Sequence, residues 1–439
     1  MMSQEQNDRL TRVGPGTGAG AVLRRYWQPA ALSEELMSAR PVVPVRLLGE
    51  DLVLFRDNKG DLGLIGRHCP HRGADLCYGR REDNGLRCPF HGWHFDRNGQ
   101  CVEQPGEPEG SQMYKNIKTV SYPVVERNGI VFAYMGPGDP PPFPALDCFA
   151  APDTHVFAFK GLWECNWLQA MEVGIDPAHA SFLHRFLQDE DPNEGYGKQF
   201  RDKAANTEIP MTQLLREYPR PEIKVEEAEH GLRIISLRHL DDGRSHVRVT
   251  NQLFPEAIVI PMSNEMTITQ WHVPIDDENC YWYSMFTSFG KPVDKTVMRE
   301  QRLKEHRLPD YAPLKNKRNN YGFNPEEQES LTYTGMGLDI NVHDQWAVES
   351  MGPIQDRTDE HLGRTDVAIS KYRRMLLAAI KNIEDGGEED LPMRRAGVDT
   401  GAIRGPVSID AIGPTDEWES VWKDADAERR SSCQWNAAI

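Results

Sequence analysis

Residues Cys69 to Asp96 read CPHRGADLCYGRREDNGLRCPFHGWHFD and hold three cysteines and three histidines. Two short groups stand out. Cys69-Pro-His71 has the spacing Cys-x-His, and Cys88-Pro-Phe-His91 has Cys-x2-His, with sixteen residues between them. Zinc fingers and ribbons show a different pattern, with close Cys-x2-Cys pairs or a cysteine pair followed by a histidine pair.

Each half of this run offers one thiolate and one imidazole. A [2Fe–2S] cluster of the Rieske kind needs two thiolates on one iron and two imidazoles on the other, and two hairpin-like loops can supply them. Neutral imidazoles raise the potential above that of an all-thiolate cluster, so such a site suits electron transfer. His68, Cys77 and His94 fall outside the paired spacing. The two histidines read as supporting or surface residues and Cys77 as a small apolar filler. Gly73, Gly79, Gly85 and Gly92 fit loops that bend sharply around a cluster. Trp93 would screen it from solvent.

The flanks read as β structure. Val43 to Asp57 carries two apolar stretches around Gly49-Glu50-Asp51, a hairpin signal, and Gly60 to Cys69 leads a further strand into the cluster loop. Asn128-Gly129 marks another turn. Then GPGDPPPFP, residues 136–144, predicts a stiff linker and a domain boundary.

Past the linker, Glu164 to Arg185 contains Asp176-x2-His179-x4-His184. Two histidines and a carboxylate with open positions are the donor set of non-haem Fe(II) oxygenases. On a regular helix 176 and 179 share a face, while His184 is rotated by roughly 140° from His179. Either the helix is distorted there, with Pro177 at the point of change, or His184 reaches back from its end.

The whole chain sets limits on function. Its 439 residues are too many for one core, and two or three domains are expected. Apolar residues make up 39% and charged residues 27%, a globular balance. A net charge of −17 argues against nucleic acid as a partner. No apolar run long enough to span a membrane and no secretory signal is seen. Eight scattered cysteines fit a reducing cytoplasm. GPGTGAG near the N-terminus lacks the strand-then-helix context of a dinucleotide site, so electrons are expected from another polypeptide.

The two constellations, in this order and joined by a proline-rich linker, resemble the oxygenase component of Rieske non-haem iron oxygenases. RVGPGTGAGAVLRRYWQPAAL and NVHDQWAVESMGPIQDRTDEHLG resemble its phthalate dioxygenase-like subgroup. The resemblance implies an α+β chain in which an all-β Rieske domain precedes a helix-grip catalytic domain, a curved antiparallel sheet around helices. The expected division is an N-terminal extension (1–40), the Rieske domain (41–140), the catalytic domain (141–391) and a C-terminal extension (392–439) lying over the trimer or a neighbouring subunit. It also implies a homotrimer or a dimer of trimers, and a separate flavin and iron–sulfur reductase.

Matched residue by residue, the resemblance makes Cys69, His71, Cys88 and His91 the cluster ligands, and His179 and His184 the imidazoles of a mononuclear Fe(II). It makes Asp176 a bridging carboxylate that links a cluster histidine of one subunit, His91, to His179 of the next. The third iron ligand then comes from elsewhere. Asp344, before an apolar run and a Glu, fits best, with Asp339, Glu349 and Asp356 as competitors.

An aromatic acid is the implied substrate, with O2 as co-substrate. Outcomes within the subgroup range from cis-dihydroxylation, as on phthalate, to hydroxylation or removal of a methyl from a methoxy group. Pro177, where phthalate-active relatives often have serine, and the long polar stretch from Arg185 to Gln213 point away from phthalate towards a larger, lignin-type acid. A buried carboxylate wants a bidentate arginine. Arg248 is the first choice, since HVRVTNQLF alternates and turns it inward. Arg216 is the second, and Arg220 lies nearby. Two other classes remain at this point: a Rieske electron carrier, disfavoured by the long chain after the linker, and a scaffold with structural zinc.

Overall fold

The computed structural model describes residues 2–188, 209–263, 265–387, 391–394, 399–433 and 435. Helices α1 (Gln4–Thr11) and α2 (Gly18–Leu23) open the chain, each started by a hydroxyl cap, from Ser3 and Thr17. Strand β1 (Gln28–Leu32) follows. Strands β2 (Val42–Leu47), β3 (Glu50–Arg56) and β4 (Leu62–Gly66) form one antiparallel sheet. Strands β5 (Arg80–Glu82), β6 (Gly85–Arg87), β7 (His94–Asp96) and β8 (Cys101–Glu103) form another. Strands β9 (Val124–Arg127) and β10 (Ile130–Ala133) close a hairpin against β1.

The β2–β3 turn is Leu48-Gly49, one residue earlier than the sequence suggests. Leu47 pairs with Glu50, and both loop residues have positive φ, 49° and 79°, as a two-residue hairpin turn of matching twist requires. Its tip docks on the second domain, where the amides of Leu48 and Gly49 donate to the carbonyls of Pro274 and Ile275 at 3.0 and 2.9 Å.

The proline-rich linker is packed down rather than free. The Trp27 ring stacks on Phe143 at 4.8 Å, and its Nε1 donates to the Pro141 carbonyl at 2.8 Å. Beyond it runs one large antiparallel sheet. Its strands are β11 (Val156–Trp163), β12 (Glu222–Ala228), β13 (Gly231–His239), β14 (Arg244–Leu253), β15 (Ala257–Ser263), β16 (Met266–Pro274) and β17 (Cys280–Ser288). Their order across the sheet is β11-β17-β16-β15-β14-β13-β12. Against it lie α3 (Trp167–Gly174) and the long α7 (Val367–Glu384), with the single turn α4 (Ala180–Leu183) packed on α5 (Met211–Glu217), and α6 (Ile340–Glu349) packed on α3. A small all-β domain followed by a curved sheet with helices is the α+β architecture expected. Among the described residues no helix is long and apolar enough to cross a membrane.

The chain ends differ from the expected extensions. Strand β1 pairs with β10, so sheet structure begins before residue 41. Helices α1 and α2 pack against α7 of the catalytic part. Described residues of the C-terminal segment pack on the sheet of their own chain. Strand β18 (Ile409–Pro414) pairs with β14, and α8 (Trp418–Ser431) packs behind it. The reason is the two-residue period of β13 and β14. Ile235, Leu237, Val247 and Val249 point away from the main core, and Trp422 and Ala425 cover them.

Glu172 on α3 fixes the helix beside the site. It is buried between two arginines, with Arg357 Nη2 at 2.9 Å and Arg373 Nε at 2.5 Å, and the attraction of both holds its carboxyl low despite the burial. Glu172→Gln leaves two buried guanidiniums underpaired and is expected to cost about 3–5 kcal/mol, read from denaturant unfolding of the purified protein. A loss under about 1 kcal/mol, the ordinary size for a surface pair, would show the network to be dispensable.

Candidate active site

The two Cys/His groups sit on matching loops. The Cys69 amide donates to the Ala74 carbonyl and the Cys88 amide to the Trp93 carbonyl, both at 2.8 Å. Gly73 and Gly92 each donate back to the cysteine of their own loop. Both glycines have positive φ, 77° and 74°, which is why that position is glycine in each. The loops bring Cys69, Cys88, His71 and His91 together. Both cysteines are buried. The imidazoles lie further out, His71 half-buried and His91 exposed, with ring centroids 4.4 Å apart. Trp93 is buried and stacks on His71 at 4.4 Å. Burial, with the Cys88 thiol beside it, pushes the Cys69 thiol up to about 11. Two adjacent buried sulfurs ionise together only when a cation shares them, so the donor set fits a cluster with thiolates inside and imidazoles at the surface. Cys77 is a buried thiol raised to about 12 by burial, and the His68 ring lies 3.2 Å from the Gly73 carbonyl. Neither joins the set.

The second constellation is not one regular helix. Helix α3 stops at Gly174, and the chain turns through Asp176 and Pro177 before α4. Proline has no amide for a continuing helix and its ring clashes with the preceding turn. His179 and His184 therefore flank a single turn, one at each end, and this lets residues five apart converge. The His179 Nδ1 faces the backbone carbonyl of Asp176, which fixes the proton there and leaves a lone pair on Nε2. That Nε2 lies 3.2 Å from His184 Nε2.

Helix α6 supplies the third group. Asp344 Oδ1 lies 3.2 Å from His184 Nε2 and 3.7 Å from His179 Nε2, and among the described residues it has no hydrogen-bond donor. The three ligand atoms lie within 4.8 Å of one another, the one such His/Cys/Asp/Glu group among the described residues. Burial and the neighbouring His184 both lower the His179 imidazole, favouring its neutral form. Two converging lone pairs beside an unbonded carboxylate oxygen fit a divalent metal. The competitors are engaged elsewhere. Asp339 caps α6, Asp356 caps a short turn, and Glu349 accepts from the Glu164 amide and Tyr321.

A cavity of about 180 Å³ reaches this triad, and Asp176 and His179 form part of its wall. On the far side of the same two residues lies an open cleft of about 1000 Å³ lined by Phe182, Phe323, Tyr333, Trp346 and Met351. The Asp176 carboxylate accepts from the Ala178 amide at 2.8 Å.

The arginines come out differently from expectation. Arg248 does line the cavity, but Asp410 of β18 already holds it at 2.6 Å. Arg216 on α5 is not in the lining, and its Nη1 reaches the Phe186 carbonyl at 3.5 Å. Arg220 is exposed. Arg238 on β13, which the sequence reading passed over, lines the cavity fully buried. Its signal was the alternation of Leu232, Ile234, Ser236 and Arg238. Most of the polar stretch from Arg185 to Gln213 lies outside the described residues.

Residues 26–123 match the model for the Rieske [2Fe-2S] domain, and residues 133–409 match the model described as LigXa C-terminal domain like. The phthalate 4,5-dioxygenase oxygenase subunit of Pseudomonas putida is 35% identical over 90% of this chain and 91% of its own length. The chain belongs to the Rieske non-haem iron oxygenases. A second relative of this oxygenase is the tert-butanol monooxygenase / tert-amyl alcohol desaturase oxygenase subunit of Aquincola tertiaricarbonis, 33% identical over 85% of this chain and 76% of that one. The solved structure of the NdmA QL mutant of Pseudomonas putida CBB5 with theobromine is 19% identical, has a TM-score of 0.57, and covers 85% of this chain and 95% of that one, a likeness of fold. A Rieske oxygenase of this kind is an enzyme that carries a [2Fe–2S] cluster and a mononuclear iron, which sets aside the electron-carrier and zinc-scaffold readings.

Proposed function

We propose that this Rieske oxygenase takes electrons from a separate reductase and uses O2 to oxidise an aromatic carboxylic acid, by hydroxylation or oxidative O-demethylation. Its relatives span substrates as unlike as phthalate and tert-butanol, so their names do not decide. Arg238 carries the reading. It is a buried cation facing the cavity with no carboxylate in ion-pair distance among the described residues. Such a group calls for an anionic ligand.

In this reading Cys69, His71, Cys88 and His91 hold the cluster, and His179, His184 and Asp344 hold the iron. When bound, these groups supply single-electron transfer and the reduction of O2. The protein's own residues do the rest. The Asp176 carbonyl keeps the proton of His179 on Nδ1. The Asp176 carboxylate, in the wall between cavity and cleft, is available to the imidazole of His91 from another copy.

An exposed Phe90 beside His91 and the exposed apolar side chains around the cleft support a head-to-tail assembly, a homotrimer or a pair of them. Eight unpaired cysteines support a cytoplasmic location.

The test supplies NADH, a reductase and O2 with benzoates, phthalates, methoxylated aromatic acids and their methyl esters. The acids with one carboxylate are expected to react. The esters, lacking the charge, are expected to bind roughly 2–5 kcal/mol more weakly. Product analysis separates a diol from a phenol released with formaldehyde. Esters reacting as well as acids would overturn the reading.

A further inference from the structure

Strands β13, β14 and β18 lie side by side with Ser236, Arg248 and Asp410 in one row, and Arg238, His246 and Ile412 in the next. Arg238 and Arg248 therefore project from the same face as diagonal neighbours, two cations on one wall of the cavity. One carboxylate answers them, and it favours Arg248. Asp410 Oδ2 lies 2.6 Å from Arg248 Nη1, and its Oδ1 lies 2.9 Å from His246 Nε2. The other end of the Arg248 guanidinium donates to the Pro261 carbonyl at 3.1 Å. His246 is fully buried and burial lowers it, so it stays neutral. The group Arg248–Asp410–His246 then carries no net charge. Arg302, the third arginine of the lining, faces Asp339 at 3.9 Å.

Among the described residues Arg238 hydrogen-bonds to neutral partners only. Its guanidinium reaches Ser181 Oγ at 3.2 Å, the Pro177 carbonyl at 3.4 Å and Ser236 Oγ at 3.5 Å, all long contacts, and its Nε finds no acceptor among the described residues. Burial lowers it to about 10, Arg248 acts in the same direction, and the more distant Asp410 only partly opposes them. Pro177 and Ser181 belong to the turn that carries His179 and His184, so an anion seated on Arg238 lies beside the metal triad.

We infer that Asp410, carried on the C-terminal strand, sets the charge of the substrate: it cancels Arg248 and leaves Arg238 as the single carboxylate seat, so that the cavity accepts aromatic acids with one carboxylate and rejects ortho-dicarboxylates. The inference deepens the proposed function and rests on it. A second carboxylate either lies unpaired in a mainly apolar cavity or competes with Asp410 for Arg248, and both are costly.

Calorimetric titration of the metal-loaded protein with benzoate, phthalate and methyl benzoate tests this. Benzoate is expected to bind at least about 30-fold more tightly than either of the others, the low end for one uncompensated buried charge. Asp410→Asn frees Arg248 and is expected to raise the phthalate-to-benzoate affinity ratio about tenfold or more, with the cluster spectrum unchanged. Arg238→Gln is expected to erase the preference for benzoate over its ester. Phthalate binding as tightly as benzoate in the unaltered protein, or a ratio unmoved by Asp410→Asn, overturns the role of Asp410 and leaves the aromatic-acid reading standing. Methyl benzoate binding as well as benzoate, or no binding of either acid, takes that reading down too. Should Asp410→Asn fail to fold, the ratio in the unaltered protein still decides.

Discussion

Asp344→Ala is expected to abolish turnover and remove the mononuclear iron while the visible spectrum of the cluster survives. The carboxylate is the one anion of the triad. Its Oδ1 stands 3.2 Å from His184 Nε2 and 3.7 Å from His179 Nε2, with no hydrogen-bond donor among the described residues. Two neutral imidazoles alone give a divalent ion no charge compensation in a buried site. The cluster loops are built from a separate small core that includes Cys69, Cys88 and Trp93, so they have no reason to respond. Iron analysis beside the absorption spectrum checks this. An Asp344→Ala protein with full iron and normal turnover would move the third ligand elsewhere, and Asp339→Ala would then be the comparison to make.

What could be read in the sequence followed the range of each interaction. The cluster set lies within 28 residues on two tight loops, so spacing alone describes it. The pair His179 and His184 was visible, but its geometry was not. The converging arrangement depends on where α3 stops, and Gly174 and Pro177 only hint at that. Asp344 came through resemblance, because no local pattern ties a residue on α6 to a turn so far upstream. The packing of the chain ends was not legible for a similar reason. A strand such as β18 has no partner in its own neighbourhood, and its apolar residues Ile409 and Ala411 gain meaning only against Val247 and Val249.

The arginines show the same limit at a single charge. Alternation along β13 and β14 turns Arg238 and Arg248 inward alike. Which of them is neutralised is decided by Asp410, brought across by pairing between β14 and β18. Strand pattern reports the direction of a side chain, and ion pairing depends on a partner whose sequence position it does not encode. The sequence reading therefore favoured the arginine that the fold has already neutralised.

Asp176→Asn is expected to keep both metals and the reducibility of the cluster, yet lower turnover by about 10- to 100-fold or more, the usual effect of losing a carboxylate behind a metal-bound histidine. The backbone carbonyl of Asp176, not its carboxylate, faces His179 Nδ1 within the chain. The substitution leaves that contact in place and so leaves the iron site whole. The side chain also accepts from the Ala178 amide at 2.8 Å, and an amide oxygen can do the same, so the turn through Pro177 is kept. What disappears is the negative charge in the wall between cavity and cleft, at the place where the proposed assembly brings His91 of another copy. A charged acceptor binds an imidazole N–H about twice as strongly as a neutral one, and it alone stabilises that imidazole as its metal changes charge. Stopped-flow reduction of the cluster, followed by single-turnover product yield, separates the steps: the first is expected unchanged and the second slowed. Full turnover in Asp176→Asn, or loss of iron from the triad alone, would assign Asp176 to structure rather than to communication between the two metal sites.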